Sequence, residues 1–213
     1  MNTIKQKRMK AEDRKTSIIL ASKGMFAKNG QHGVSVDEIA KACGVSPAVL
    51  YQHFPSKEKL YEAVLDAVAC NREDYVDAVL GGSDAFGDVL YRMTLVFVKT
   101  RIADVDTLRI ELRSIIDGDR LSEQFFQNQW SSFIDYIELS LDDMMKEGRI
   151  PQFNIQLAAL AYVGIFREVM LSQTMRVGEK HYQDVESLVK EMVNFYLKML
   201  GINNQVADIG KAE

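Results

Sequence analysis

The chain is poor in the residues that staple, kink or catalyse. Only two cysteines occur in 213 residues, Cys43 and Cys70, and neither belongs to a CxxC pair or a zinc spacing. No disulfide framework or structural zinc is therefore expected, and the thiols read as reduced. A chain of this length buries about 70% of its unfolded surface and needs no such staple. Three prolines, Pro47, Pro55 and Pro151, leave long stretches free to be helical. Three isolated histidines give no HExxH, and P-loop and GxSxG patterns are missing, so the usual marks of a metalloprotease, NTPase or hydrolase are not there. Asp142, Asp143 and Glu147 beside Gly148 read as an exposed helix face rather than an acid–base site. No cofactor or metal is expected. Charge interrupts each apolar run before the roughly 20 residues of a membrane span. The residues after Met1 are polar and lysine-rich, unlike a secretory signal, so the expected location is the cytoplasm.

What the chain has in quantity is charge, unevenly placed. Its net charge of −4 divides into +6 over residues 1–60 and −10 over residues 61–213. Lys5, Lys7, Arg8, Lys10, Arg14 and Lys15 crowd the start. A basic end on an acidic body suits contact with a polyanion through one end, though a solvated tail carries the same charge.

Apolar residues recur at helical spacing throughout. Ile18, Ile19, Ala21, Ser22, Met25 and Phe26 share one side of a helix that stops near Asn29-Gly30. Ser35, three residues before Glu38, spells a capping box for a short helix through Ile39, Ala40 and Ala42, broken at Gly44. Ser46-Pro47 supplies the N-cap and first position of the next helix, through Leu50 and Tyr51 to about His53. A fourth, from Ser56 toward Gly81-Gly82, carries Leu60, Val64, Leu65, Val68 and Val79 and at about 24 residues would span roughly 36 Å. Others are expected near 84–102, 105–116, 120–147, 154–176 and 182–200, with stops at Asp104–Asp106, Asp117-Gly118, Gly148–Pro151 and Gly178. The fold class is all-α, about nine helices: a basic tail and three-helix helix-turn-helix domain over 1–60, and a larger helical domain over 61–213.

Two short helices joined by a tight glycine turn, Val36 to Phe54, form a helix-turn-helix unit, whose second helix enters the DNA major groove. Ile39, Ala40, Val45 and Leu50 fit its interior, with Ala40 small where the helices approach. Cys43 reads as a small buried residue. Leu50-Tyr51-Gln52-His53-Phe54 followed by Ser56-Lys57-Glu58, together with Ile39-Ala40, Gly44-Val45-Ser46 and Ile18-Ile19…Met25-Phe26…Gly30, resembles the tetracycline-repressor (TetR) family. The resemblance covers Ile18 to about Leu60; beyond it only the helix layout is similar. It implies that Ser46 starts the reading helix, that Pro47, Ala48, Val49 and Gln52 lie on its groove face, and that Tyr51, His53 and Lys57 hold phosphates. Ser35 and Val36 would assist from the start of the preceding helix. The chemistry agrees: Gln52 can pair with adenine, and Ala48 or Val49 can touch a thymine methyl. Residues 46–56 contain no Arg or Lys, so Lys57 and the basic tail would carry most of the electrostatic affinity.

The resemblance also implies a homodimer on a double-stranded operator, built from the last two helices. Leu157, Leu160, Ala161, Gly164 and Ile165 would supply one face, and Leu188, Met192, Phe195 and Met199 the other. A small-molecule effector, largely apolar or aromatic, would sit among Met93, Phe97, Arg109, Phe126, Trp130, Phe133, Met144, Tyr162 and Phe166. Arg109, Glu111 and Arg113 could orient a polar group or simply form surface salt bridges. Repression is the family's usual output. The competing readings are an all-α enzyme, a helical adaptor that binds protein, and a regulator whose cavity is filled by its own side chains.

Overall fold

The computed structural model describes residues 11–69, 80, 82–175, 184–203 and 206. Among these, nine helices occur and no strand: α1 (Ala11–Asn29), α2 (Val36–Ala42), α3 (Pro47–His53), α4 (Lys57–Val68), α5 (Phe86–Ala103), α6 (Val105–Asp117), α7 (Arg120–Lys146), α8 (Ile155–Thr174) and α9 (Val185–Met199). Lys5, Lys7, Arg8, Lys10, Cys70, Val79, Gly81, Gly178 and His181 lie outside the described residues.

The chain forms two compact units, one from 1–69 with 106–126, the other from 70–105 with 127–213. The first is organised around α1, which packs on α2 and α4, while α2 packs on α3. Its core gathers Ile18, Phe26, Ile39, Leu50, Leu60 and Val64, together with Ile110 of α6 and Phe126 of α7. Short-range chemistry fixes the helix ends. At Gly30 φ is +74°, the left-handed conformation glycine adopts most easily, and its N–H donates to Phe26 O at 2.8 Å, closing α1. Ser35 Oγ accepts from Glu38 N at 3.2 Å while the Glu38 carboxylate accepts from Ser35 N at 2.8 Å, a complete capping box for α2. The Ser35 backbone and hydroxyl, in that order, hold the Glu38 carboxyl below its ordinary range.

Gly44, at φ +63°, turns the chain between α2 and α3. There Val45 N donates to Ala40 O at 3.0 Å and Gly44 N to Lys41 O at 3.1 Å, the two bonds of a Schellman cap. Ser46 and Ser56 cap α3 and α4 by accepting from Val49 N and Lys59 N. One boundary differs from expectation. α4 ends at Val68, and Ala69 is extended at ψ 135° rather than continuing a helix toward Gly81. The apolar stripe that buries α4, Leu60, Val64, Leu65 and Val68, stops at the same place.

In the second unit α5 packs on α8 and α9, and α8 on α9. Its core is aromatic. Phe97 stacks on Trp130 with centroids 5.3 Å apart, Phe133 stacks on Tyr162 at 5.7 Å, and Phe166 meets Trp130 edge-on at 5.2 Å. Tyr162 and Thr94 share a hydroxyl–hydroxyl hydrogen bond of 2.6 Å, and Tyr196 donates to Ala158 O at 3.0 Å. Burial pushes both phenols above their usual range. By length and composition alone α8 is apolar enough to cross a membrane. Arg167 and Glu168 nonetheless interrupt it, and Ala159, Tyr162, Phe166 and Met170 are taken up in the core of its own unit.

Candidate nucleic-acid interface

α3 is seven residues long and held by one buried side chain, Leu50, with Phe54 buried just beyond its end. Helical geometry turns the neighbours of Leu50 outward. Tyr51 is 49% exposed although Leu50 beside it and Phe54 three residues on are buried, so packing does not account for it. Pro47, Ala48 and Gln52 are exposed with it, while Val49 and His53 are half-buried at the edges. Ser46 is exposed and spends its hydroxyl oxygen on Val49 N. The outward face of α3 thus offers an amide, a phenol, two small apolar groups and an imidazole.

Two of the expected phosphate donors are committed within the protein. Ser35 gives both its N–H and its hydroxyl to the Glu38 carboxylate, at 2.8 and 2.7 Å. The donors that α2 leaves for a phosphate are its first-turn N–H groups, beginning with half-buried Val36. Lys57 donates through Nζ to Val34 O at 3.1 Å, tying the start of α4 to the loop before α2. An ammonium has three donors, so this tether leaves two. On the opposite side of the sequence motif, Lys15 lies over the Phe54 ring at 5.8 Å, keeping a cation beside the end of α3.

The residues expected around an effector are divided. Phe97, Trp130, Phe133, Tyr162 and Phe166 come together as the aromatic core of the second unit, where Met93 and Met144 are also buried. Phe126 and Arg109 do not join them: Phe126 belongs to the core of the first unit, and Arg109, in that same unit, pairs with Asp106 at 2.9 Å. Arg113 also lies in the first unit, bonded to carbonyls of α1, and Glu111 there is buried rather than on a surface. Sequence reasoning missed Arg101. It is 1% exposed, donates to Gln129 Oε1 at 2.9 Å and lies 6.0 Å from the Phe97 ring centre. The signal was present, since Arg101 falls on the stripe Leu90, Thr94, Phe97, Val98 of α5.

The residues expected at a dimer interface also separate. Leu157, Leu160, Phe195 and Met199 are 58–66% exposed, and Gly164 has open space where a Cβ would stand. Ala161 and Ile165 are half-buried. Leu188 and Met192 are buried in the chain's own core and present little surface to a second copy. Asp142 and Glu147 form ion pairs with Lys146 and Arg149 on the surface, as a solvated helix end would.

Comparison with known proteins agrees with the motif. Residues 18–64 match the family described as bacterial regulatory proteins, tetR family. The chain is 22% identical to the HTH-type transcriptional regulator YhgD of Bacillus subtilis over 154 residues, 72% of this chain and 81% of the relative. It is 45% identical to the HTH-type transcriptional activator FasR of Mycolicibacterium smegmatis over 58 residues, 27% of this chain and 26% of that one, so it spans only about a quarter of this relative. The structure of AibR in complex with isovaleryl coenzyme A and operator DNA superposes with a TM-score of 0.61 at 17% identity, covering 89% of this chain and 98% of that one. Residues 18–64 thus match the reading head of the bacterial tetR-family regulators, and the all-helical fold is similar to that of a solved TetR-family regulator, PfmR of Thermus thermophilus, with a TM-score of 0.61.

Proposed function

We propose that the protein is a repressor that binds an operator inverted repeat as a homodimer and is released by a small, largely apolar or aromatic effector. The observation that carries the DNA half is the outward face of α3: Tyr51, Gln52, Ala48 and Pro47 are exposed on a helix whose ends are capped and whose inner side is anchored by Leu50. Tyr51, His53 and the two remaining donors of Lys57 would hold phosphates, the basic tail would add electrostatic affinity, and Gln52 with Ala48 or Val49 would touch base edges. Two reading helices must reach successive major grooves roughly 34–36 Å apart, which requires a second copy. The exposed apolar residues of α8 and α9 support that copy. Such a regulator works where its DNA lies, in the cytoplasm.

The effector half rests on the aromatic core of the second unit. AibR was solved with an acyl coenzyme A, which supports an apolar acyl or aromatic ligand here too. Arg101, buried beside Phe97, would give such a ligand one fixed positive charge to meet. An effector acts by preferring the conformation unfit for DNA, and linkage makes DNA weaken the effector by the same factor. A regulator without effector is the second reading, favoured by the mutual packing of Phe97, Trp130, Phe133 and Phe166, which fill their own space.

Selection of duplexes from a randomised pool, with each hit titrated against salt, tests the DNA half. The expected result is an inverted repeat bound with a steep salt slope, and lost on Tyr51→Ala. Weak binding of all sequences alike, unchanged by Tyr51→Ala, would overturn it. Mass spectrometry of the purified protein and thermal shifts with short acyl coenzyme A species then separate the sensing regulator from the one without effector.

A further inference from the structure

The segment Gly30–Val34 connects α1 to the N-cap of α2, and so sets where the helix-turn-helix stands on α1. It is held at both ends by cations from helices distant in sequence. At its far end Lys57 of α4 bonds Val34 O. At its near end Arg113 of α6 reaches the last turn of α1, its Nε donating to Ala27 O at 3.1 Å and its Nη2 to Lys28 O.

The last turn of a helix leaves carbonyls without an intrahelical donor. In α1 the Phe26 carbonyl is met by Gly30 N, and the next two, Ala27 and Lys28, are met by the Arg113 fork. A guanidinium suits the place on three counts. It is planar with parallel donors, it stays charged at any ordinary pH, and a cation at a helix C-terminus is favoured by the helix dipole. Asp117, one turn further along α6, steers it: its carboxylate lies 3.8 Å from Arg113 Nη1. The approach is close. A Cβ at Gly30 would come within 2.9 Å of Asp117 Oδ2, and Gly30 already holds a positive φ.

We infer that Arg113 is a positioning residue for DNA reading: by capping the C-terminus of α1 it fixes the path of Gly30–Val34 and hence the angle of α2 and α3. Arg113 touches no DNA in this assignment. It acts through main-chain carbonyls, and any shift of α6 is transmitted to the loop ahead of the reading helices. The inference rests on the DNA-binding reading above.

The test compares affinity for the inverted repeat selected by the wild-type chain with affinity for a random duplex of equal length. Arg113→Ala is expected to weaken the selected site about tenfold, the equivalent of about one net charge-assisted bond. Random-duplex binding should stay within about twofold, because phosphate donors are untouched while the alignment of two reading helices is lost. Arg113→Lys, whose single ammonium meets one carbonyl well, should recover only part of the selectivity. An unchanged ratio of specific to random affinity in Arg113→Ala would overturn the assignment. So would a fall in both affinities together with a lowered melting temperature, which marks a merely structural role. If Arg113→Ala does not fold, Arg113→Lys decides in the same way: a reduced ratio supports the assignment and a wild-type ratio overturns it. A wild-type chain that enriches no sequence overturns the regulator reading itself, a result separate from any difference among the Arg113 variants.

Discussion

Tyr61 sits edge-on to Phe26 with centroids 4.9 Å apart and 3% of its surface exposed, its hydroxyl directed to Asp119 and Ser122. Burial pushes its phenol up to about 12; the Ser122 hydrogen bond opposes the rise, and the Asp119 carboxylate adds to it. The folded state therefore favours the neutral phenol more than the unfolded state does. Stability contributed this way is fully present below the ordinary value of 10 and is lost as pH climbs from there through 12. The expected outcome is a rise in tyrosinate absorbance over that window accompanied by loss of helical ellipticity. Tyr61→Phe keeps the ring and removes the proton, so it should retain more ellipticity than wild type at about pH 11. Identical alkaline curves would shift the cause to the other buried phenols, Tyr162 and Tyr196.

At the scale of the element, α2 depends on its cap more than longer helices do, because seven residues supply few internal bonds. Ser35→Ala removes the hydroxyl half of the capping box and should cost about 1 kcal/mol in urea unfolding. The Glu38 carboxyl should return toward its ordinary range in an NMR titration, and a Glu38 pKa that did not move would count against the box. Caps of this kind are why the end of α1 and both ends of α2 and α3 were legible in the sequence to within a residue or two: Gly30, Ser35…Glu38, Gly44 and Ser46-Pro47 act on their immediate neighbours, whereas the start of α1 at Ala11 was not read. The end of α4 was not legible, since Ala69-Cys70 contains no stopping residue and only the apolar stripe gives out at Val68. Nor was the placement of Ile110 and Phe126 with α1 and α4, because an apolar residue at helical spacing does not name the helix it will meet. The tethers made by Lys57 and Arg113 escaped for a related reason. Their acceptors are main-chain carbonyls, which every residue has.

For the whole molecule, the largest unspent apolar surface on α8 and α9 is the set Leu157, Leu160, Phe195 and Met199. Large exposed apolar side chains on two helices that pack together are a usual mark of an interface. Leu160→Glu with Phe195→Glu should give a monomer in sedimentation with unchanged helical content, and should abolish tight binding to an inverted repeat while sparing weak binding to any duplex. A double variant that still sediments as a dimer would place the interface elsewhere. The first compact unit is itself discontinuous, 1–69 joined by 106–126. A graft of residues 1–69 onto another sensor would leave behind the side chains that Ile110 and Phe126 bring to its core, whereas a chimera drawn from both stretches would carry them. The same arrangement makes the head wait during synthesis. At about 5–20 residues per second, the stretch from Ala69 to Phe126 takes several seconds to make, and until then the apolar seat of Ile110 and Phe126 is unfilled. In that interval the nascent head leaves apolar surface uncovered, and its core is completed only after more than half of the chain has been translated.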